Sequence, residues 1–206
     1  MKPITVLLAE DHMIVREGLR SLLQAEAGIE VIGEAQTGRQ AVELTKKLRP
    51  AVIVMDIAMS LLNGLEATRQ IRKAIPGAKV LILSAHSDDA YVEQAIAFGA
   101  RGFLLKQTSS HDLSKAIREV EKGNTFFSPS IARRLHDQKI PAGGVALRKK
   151  IARLSSREVE VLQLIAEGKA NKQTAAELGI SIKTVEKHRQ NLMAKLNVHE
   201  ISGLTR

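Results

Sequence analysis

The first half of the chain sets polar side chains at the ends of short apolar runs, and together these side chains could handle phosphate. They are Glu10 and Asp11, Asp56, Ser84 and Lys106. Three carboxylates held close together repel one another, so this cluster favours a hard cation. Mg²⁺ fits because it prefers oxygen ligands and keeps waters that a phosphate can replace. With the metal bound, one carboxylate can attack a phosphorus centre as a nucleophile.

Each side chain has a distinct chemical use. Asp56 is the candidate nucleophile, because it follows a central strand and the other groups flank it. Lys106 could balance charge on a phosphoryl oxygen, and the Ser84 hydroxyl could bond to another. A single Asp at a strand end is usually a helix cap, and a single Lys is usually solvated. Capping does not readily explain why all of these polar groups stand at successive strand ends, so the pattern favours a phosphate pocket.

Five short apolar runs must position these groups, and we interpret them as strands. They are residues 6–9, 31–35, 52–55, 80–83 and 102–105. Their nearly continuous apolar character is typical of strands covered by helices on both faces. Amphipathic stretches separate them, the first with an apolar stripe of Val15, Leu19, Leu22 and Leu23. Five strand–helix repeats predict an α/β fold with a parallel sheet, whose chemistry collects beyond the carboxyl ends of the strands.

The charge of the chain is distributed unevenly. Residues 1–126 hold 16 Lys+Arg and 15 Asp+Glu, whereas residues 127–206 hold 15 and 7, so the second half carries most of the net +9. A basic domain beside a neutral one suggests a polyanion partner, although composition alone equally allows a merely basic surface.

The chain has no Cys, which excludes a disulfide scaffold, a thiolate zinc site and cysteine catalysis. No apolar run approaches the roughly 20 residues that span a bilayer, so we expect a cytoplasmic protein without a membrane partner.

The second half is helical in period. Residues 129–137 look helical, and residues 139–153 are interpreted as a linker because they contain Pro141, Gly143 and Gly144. Ser155 and Glu158 fit a capping box, and Gly168 fits a C-terminal cap. Asn171 is expected to cap a short helix with Thr174, Ala175 and Leu178 inward. A turn at 179–181 then leads to a longer basic helix from Ile182, which describes a helix-turn-helix.

The first half resembles the receiver domain of response regulators over about 122 residues. The resemblance rests on Glu10-Asp11, on 54–59 (VMDIAM), on 83–86 (LSAH) and on 103–106 (FLLK). It implies a flavodoxin-like, five-stranded doubly wound fold and a sensor histidine kinase that donates phosphate to Asp56. It also implies that Asp11, Asp56 and the backbone carbonyl of Ala58 bind Mg²⁺, with Glu10 assisting through water. Ser84 would be the switch hydroxyl and Phe103 the switch aromatic, turning inward on phosphorylation; plain core packing of Phe103 is compatible with this role.

One residue departs from the receiver pattern. The family usually has Pro after the Met that follows the phosphoacceptor, and here Met59 is followed by Ser60. Since Ser does not restrict φ, we expect a looser loop and altered phosphorylation kinetics. Gly64 matches the family's glycine. A haloacid-dehalogenase-like phosphatase would need an Asp at position 58, and a nucleotide site would need a glycine-rich turn, so both chemistries are disfavoured.

The second half resembles the LuxR/NarL-type effector domain over roughly 150–206. The carrying stretches are 154–158 (LSSRE), 167–172 (EGKANK) and 181–188 (SIKTVEKH). The helical face points Lys187, Gln190 and Glu186 toward base edges in the major groove. Four other side chains are better placed for phosphates: Lys172, Lys183, Thr184 and Arg189. The resemblance implies dimeric binding to paired half-sites, and residues 200–206 would only begin the fourth helix that helps dimerise the family.

These observations predict residues 1–122 as a receiver domain, 123–153 as helix and linker, and 154–206 as a small all-α DNA-binding domain. The expected function is phosphorylation-dependent transcription regulation, with no enzymatic turnover beyond slow self-dephosphorylation. The expected partners are a histidine kinase, double-stranded DNA, a second copy of the chain and RNA polymerase. A regulator that binds DNA independently of phosphorylation, with a vestigial pocket, is the alternative.

Overall fold

The computed structural model describes residues 2–136 and 154–198. The chain divides into two compact units, Met1–Ile140 and Pro141–Arg206, and each is considered by itself. The predicted linker (residues 139–153) and the predicted start of a fourth helix (200–206) lie outside the described residues. The bounds of the three predicted segments therefore stay predictions.

The first unit is built on one parallel sheet. Its strands are β1 (Ile4–Ala9), β2 (Ile29–Ala35), β3 (Val52–Asp56), β4 (Val80–Ser84), β5 (Gly102–Leu105) and β6 (Phe126–Phe127). Their order across the sheet is β2-β1-β3-β4-β5-β6, and every neighbouring pair is parallel. The α/β class is confirmed, but the strand count of five is wrong. The sixth strand has only two residues, which is too short to produce a periodic signal in the sequence.

Helices cover both faces of this sheet. They are α1 (Met13–Gln24), α2 (Gly38–Leu48), α3 (Gly64–Ala74), α4 (Asp89–Ala97), α5 (Ser110–Glu121) and α6 (Pro129–His136). Successive strand residues point to opposite faces, so the strands feed two cores. One core joins Leu7, Ile53 and Phe103 to residues of α2, α3, α4 and α6. The other joins Leu8 and Val54 to residues of α1 and α5. This double covering is the doubly wound arrangement that the sequence predicts.

The apolar stripe predicted for α1 is only partly buried. Leu23 is in the core, whereas Val15 is 36% exposed and Leu22 is 46% exposed. Buried Arg16 occupies the inward face of α1 instead, where its guanidinium bonds to Glu34 on β2. Periodicity identifies a shared face of a helix, but it does not show whether another element covers that face.

The second unit contains three described helices: α7 (Ser156–Ala166), α8 (Asn171–Leu178) and α9 (Ile182–Leu196). The predicted capping box is confirmed, because the Ser155 hydroxyl accepts from the Glu158 N–H and the Glu158 carboxylate accepts from the Ser155 N–H. Gly168 has the positive φ of 78° that a C-terminal cap requires. Gly179, at φ 61°, and Ser181 then form the turn into α9.

The predicted cap of α8 is wrong by one residue. Ala170 holds the N-cap position, and its N–H donates to the side chain of Gln173. Asn171 is inside the first turn, and its amide oxygen accepts from Arg189 on α9. A long-range partner thus uses the polar group that the local pattern assigned to capping.

Among the described residues, no helix is long and apolar enough to cross a bilayer.

Candidate functional site

The strand order brings the predicted acidic residues to one edge of the sheet. β1 and β3 are neighbours in the sheet. The strand that follows β1 in the chain, β2, lies on one side of this pair, and the strand that follows β3, β4, lies on the other. Glu10 and Asp11 follow β1, and Asp56 ends β3. The crevice at this switch of direction is therefore lined by carboxylates. We call Glu10, Asp11, Asp56 and Lys106 the acidic pocket.

Lys106 connects the two strand ends. Its ammonium nitrogen lies 2.7 Å from Glu10 Oε2 and 3.0 Å from Asp56 Oδ2. Glu10 and Asp56 are only 1% and 3% exposed, so both carboxylates are shielded from water. The Lys106 N–H also donates to the carbonyl of Ser84, which fixes β5 against β4 at this edge. The structure thus brings together the carboxylates and the lysine that the sequence predicts.

The electrostatics of the acidic pocket disfavour a full set of negative charges. Burial, and next the charge of Glu10, raise the pKa of Asp56, although Lys106 works in the opposite direction. For Lys106, burial favours the neutral amine, but its hydrogen bonds to Glu10 and Asp56 outweigh this and raise its pKa. Three carboxylates beside a single ammonium leave a net negative charge, which a divalent cation would neutralise.

The donor set fits a hard divalent cation. Carboxylate oxygens of Glu10, Asp11 and Asp56, and a ring nitrogen of His12, all lie within 4.8 Å of one another. Three of the four donors are oxygens, as Mg²⁺ prefers. Ala58, whose backbone carbonyl is the other predicted ligand, is two residues beyond Asp56 on an exposed part of the loop. The residues present therefore fit the predicted metal.

Sequence reasoning missed His12 and Arg16 beside the acidic pocket. His12 Nδ1 lies 2.8 Å from Asp11 Oδ1 and 3.1 Å from Glu10 Oε1. Arg16 is buried and donates to the backbone carbonyl of Glu10 at 2.9 Å, so it holds the end of β1 in place. The position of His12 directly after two acids was an available signal, whereas the contact of Arg16 depends on how α1 packs.

The loop after Asp56 is tightly folded around glycine. The carbonyl of Ile57 accepts from the N–H groups of Met59 and Gly64, and the carbonyl of Ser60 accepts from Leu62. A Cβ on Gly64 would lie 1.8 Å from the carbonyl oxygen of Asp56, so no larger residue fits there without displacing the backbone. Leu61 adopts a left-handed φ of 64°, which is unusual for a residue other than glycine. The looser loop expected from Ser60 stays a prediction.

The two predicted switch residues are both buried. Ser84 is 1% exposed on the strand beside Asp56, and its hydroxyl accepts from the His86 N–H at 3.0 Å. This bond leaves the hydroxyl hydrogen of Ser84 available as a donor. The ring of Phe103 is fully buried in the core. Phe103 is thus already inward in this structure, so the inward turn expected on phosphorylation is not required to bury it.

The outward face of α9 carries the polar residues that the sequence assigns to DNA. Val185 and Leu192 are fully buried, so the opposite side of the helix faces outward. The exposed residues on that side are Lys183, Glu186, Lys187 and Gln190, and with Ser181 and Thr184 they line a shallow concavity. Lys172 is exposed on α8. We call α9 the recognition helix.

Arg189 differs from the other predicted contacts. Its guanidinium donates to the Asn171 side chain at 2.7 Å, and it is only partly exposed. It therefore links α8 to the recognition helix. A second link joins Lys195 to buried Glu158 at 2.7 Å, which ties the recognition helix to α7. These contacts hold the recognition helix in a defined orientation within its unit.

Both halves of the chain match families of known proteins. The profile of the response regulator receiver domain matches residues 6–118, and that of the luxR family of bacterial regulatory proteins matches residues 152–206. The chain belongs to the response-regulator family. Its two matched regions are those of transcriptional regulators of two-component systems that carry a LuxR-type helix-turn-helix.

Relatives of this response regulator, and solved structures similar to it, cover nearly its whole length. The transcriptional regulatory protein LiaR of Bacillus subtilis is 41% identical over 197 residues, which are 96% of this chain and 92% of LiaR. A structure of RcsB from Salmonella typhimurium has a TM-score of 0.61 and 31% identity, covering 100% of this chain and 97% of that one. A structure of two RcsB dimers bound to two parallel DNAs has a TM-score of 0.61 and 29% identity, covering 99% and 96%.

Proposed function

We propose that this response regulator accepts a phosphoryl group on Asp56 and binds double-stranded DNA through the recognition helix in a phosphorylation-dependent manner. The observation that carries the proposal is the acidic pocket: three carboxylates and a lysine, from three strand ends, converge around Asp56. The phosphodonor would be a sensor histidine kinase, as expected of the family. The protein would perform no enzymatic turnover beyond slow loss of its own phosphoryl group.

The residues of the pocket divide the chemistry among themselves. The Asp56 carboxylate forms a bond to phosphorus as the bond between phosphorus and the donor's nitrogen breaks. Asp11, Asp56 and the Ala58 carbonyl would hold Mg²⁺, with Glu10 assisting through water. When bound, Mg²⁺ neutralises charge on the phosphoryl oxygens. Lys106, already 3.0 Å from Asp56, is placed to pair with one such oxygen, and Ser84 to donate to another.

Phosphorylation adds about −1.5 to −2 charges at Asp56 near neutral pH. This charge favours one of two pre-existing states of the receiver rather than creating a new one. In the family, the unphosphorylated receiver masks the recognition helix, or the phosphorylated receiver dimerises. We propose a homodimer on paired half-sites, which is in keeping with the RcsB dimers bound to DNA. Contact with RNA polymerase is a further expectation.

The direct test of phosphoacceptance is incubation with acetyl phosphate and Mg²⁺, followed by intact mass measurement. The parent should gain one phosphoryl group, and Asp56→Asn should gain none. Asp88→Asn is a matched control, because Asp88 is exposed and its side chain makes no capping bond. Equal labelling of the parent and Asp56→Asn would show that Asp56 is not the acceptor.

The alternative is DNA binding that does not depend on phosphorylation, with a vestigial pocket. The complete set of Asp56, Ser84 and Lys106 argues against it, because a pocket without selection for chemistry has no need of all three. A parent that is fully labelled by acetyl phosphate but binds DNA with unchanged affinity would favour this alternative.

A further inference from the structure

Helix α6 lies between the two matched regions of the chain. The receiver match ends at residue 118 and the luxR match begins at residue 152, so Pro129–His136 belongs to neither. Nevertheless, α6 packs into the receiver core through Ile131, which is 1% exposed, and through half-buried Leu135. Along the chain, α6 directly precedes the segment that leads to α7.

Ser128, the residue before α6, bonds to the backbone of β5 on both sides of Leu104. The Ser128 N–H donates to the carbonyl of Phe103 at 3.0 Å. The Ser128 hydroxyl, in turn, accepts from the N–H of Leu105 at 3.2 Å. Ser128 is 4% exposed, so these bonds are protected from water. A shift of the β5 backbone between Phe103 and Leu105 would therefore reach the first residues of α6.

The end of α6 is attached to the segment that follows Ser84. Arg134 Nη1 lies 3.2 Å from Asp89 Oδ1, at the beginning of α4. Arg134 Nη2 donates to the carbonyl of Ser87 at 2.6 Å. One guanidinium thus holds both a backbone group and a carboxylate, each through a different nitrogen. Only two residues separate Ser87 from Ser84, whose hydroxyl holds the backbone of His86.

We propose that α6 is the output latch of this response regulator: Arg134 couples the backbone between Ser84 and α4 to the helix that leads into the DNA-binding unit. The inference rests on the proposed function, in which Ser84 donates to the phosphoryl group on Asp56. When the segment 84–88 moves toward the phosphoryl group, the Ser87 carbonyl and Asp89 move with it. The contacts of Arg134 then favour a different position of α6 for each state of the pocket.

Arg133 supplies a matched control for Arg134. It is the preceding residue on the same helix and has the same charge, and it is exposed. Replacing Arg133 with Ala changes the net charge and the helix propensity as replacing Arg134 does. Any difference between the two variants therefore reports the position of the guanidinium against Ser87 and Asp89.

The experiment measures DNA affinity with and without acetyl phosphate and Mg²⁺ for the full-length parent, Arg134→Ala and Arg133→Ala. We expect all three to be phosphorylated to the same extent. The ratio of affinities with and without phosphodonor should fall by about fivefold or more in Arg134→Ala, within the usual range of coupling between sites. Arg133→Ala should keep the parental ratio. In a parent that responds to the phosphodonor, an unchanged ratio in Arg134→Ala, or an equal fall in both variants, would overturn the proposal.

A second measurement separates the latch from the proposed function. Hydrogen exchange of the amides in residues 130–136 is followed before and after addition of acetyl phosphate. In the parent, exchange should change on phosphorylation, and in Arg134→Ala this response should be lost. Asp89→Asn removes the same ion pair from the α4 side and should reproduce the loss if Arg134→Ala does not fold. A parent that shows the exchange response but no change in DNA affinity would refute the proposed function and leave the latch supported. A parental exchange response that persists in both variants would refute the latch.

Discussion

Asp56 is a carboxylate held where its charge is disfavoured. Burial, then the charge of Glu10, raise its pKa above that of Asp in an unfolded chain, about 3.9. Protonation of Asp56 is therefore more favourable in the folded state than in the unfolded chain. The resulting loss of stability begins as the pH rises through the unfolded pKa and is complete above the folded pKa. In the proposed function, this unfavourable charge serves to bind a metal and a phosphoryl group.

Asp56→Asn should therefore be more stable than the parent in metal-free buffer at pH 7. We expect a thermal midpoint higher by about 2–4 °C, which is the shift that about 1 kcal/mol produces in a chain of this size. The difference should shrink toward pH 4 and on addition of Mg²⁺, which binds the parent better. Thermal unfolding followed by circular dichroism measures these midpoints, with Asp88→Asn as the control. A less stable Asp56→Asn without metal would contradict the account of the pocket.

Gly64 limits what the loop after Asp56 can accept. Gly64→Ala places a methyl group against the Asp56 carbonyl, so the backbone of Asp56 must move. We expect a loss of about 1–3 kcal/mol in the free energy of unfolding and slower labelling by acetyl phosphate. Gly77→Ala is the control, since nothing lies within 4 Å of a Cβ at that position. Urea unfolding checks the first effect, and equal stability of the two variants would disprove the close approach.

At the scale of elements, local patterns predict strands and caps better than they predict partners. The apolar runs locate five strands because each is long enough to show its character, whereas the two residues of β6 are not. The pair Ser155 and Glu158 predicts its own capping box, since both partners lie in one turn. Asn171 bonds instead to Arg189, 18 residues away, and Arg134 pairs with Asp89, 45 residues away. Such contacts follow from packing and leave no local signature.

The contact of Glu158 with Lys195 joins two helices of the DNA-binding unit. Although burial opposes it, the hydrogen bonds from Lys195 and Ser155 lower the pKa of Glu158. Its contribution to stability is thus present above the pKa of an unfolded Glu, about 4.3, and is lost as the pH falls through the folded pKa. Glu158→Gln should be less stable than the parent at pH 7, and the difference should shrink below pH 4. Urea midpoints across this range test the claim against Glu186→Gln, an exposed control; parallel pH curves for all three proteins would refute it.

Substitutions on the recognition helix should distinguish contacts that read the DNA sequence from contacts that only bind phosphate. Lys183→Ala should weaken binding to all DNA sequences and lower the slope of log affinity against log salt by about 0.9. Gln190→Ala should leave this slope unchanged and alter the preference between operator variants. Fluorescence anisotropy titrations at several salt concentrations measure both effects. A change of slope in Gln190→Ala alone would reverse the assignment of the two side chains.

At the scale of the whole molecule, charge and chemistry are segregated along the chain. The neutral first half holds the acidic pocket, and the second half carries most of the net positive charge. The sequence predicts this division and the family, because both depend on residue types and their spacing. It does not predict how a signal crosses from one half to the other. That step depends on contacts such as those of Arg134, which only the folded receiver brings together.

The most direct test of the account is a DNA-binding titration of the parent and Asp56→Asn, each with and without acetyl phosphate and Mg²⁺. If phosphate on Asp56 controls DNA binding, the phosphodonor should tighten binding by the parent at every salt concentration and leave Asp56→Asn unchanged. Equal affinities for the parent with and without the phosphodonor, at full labelling of Asp56, would contradict it.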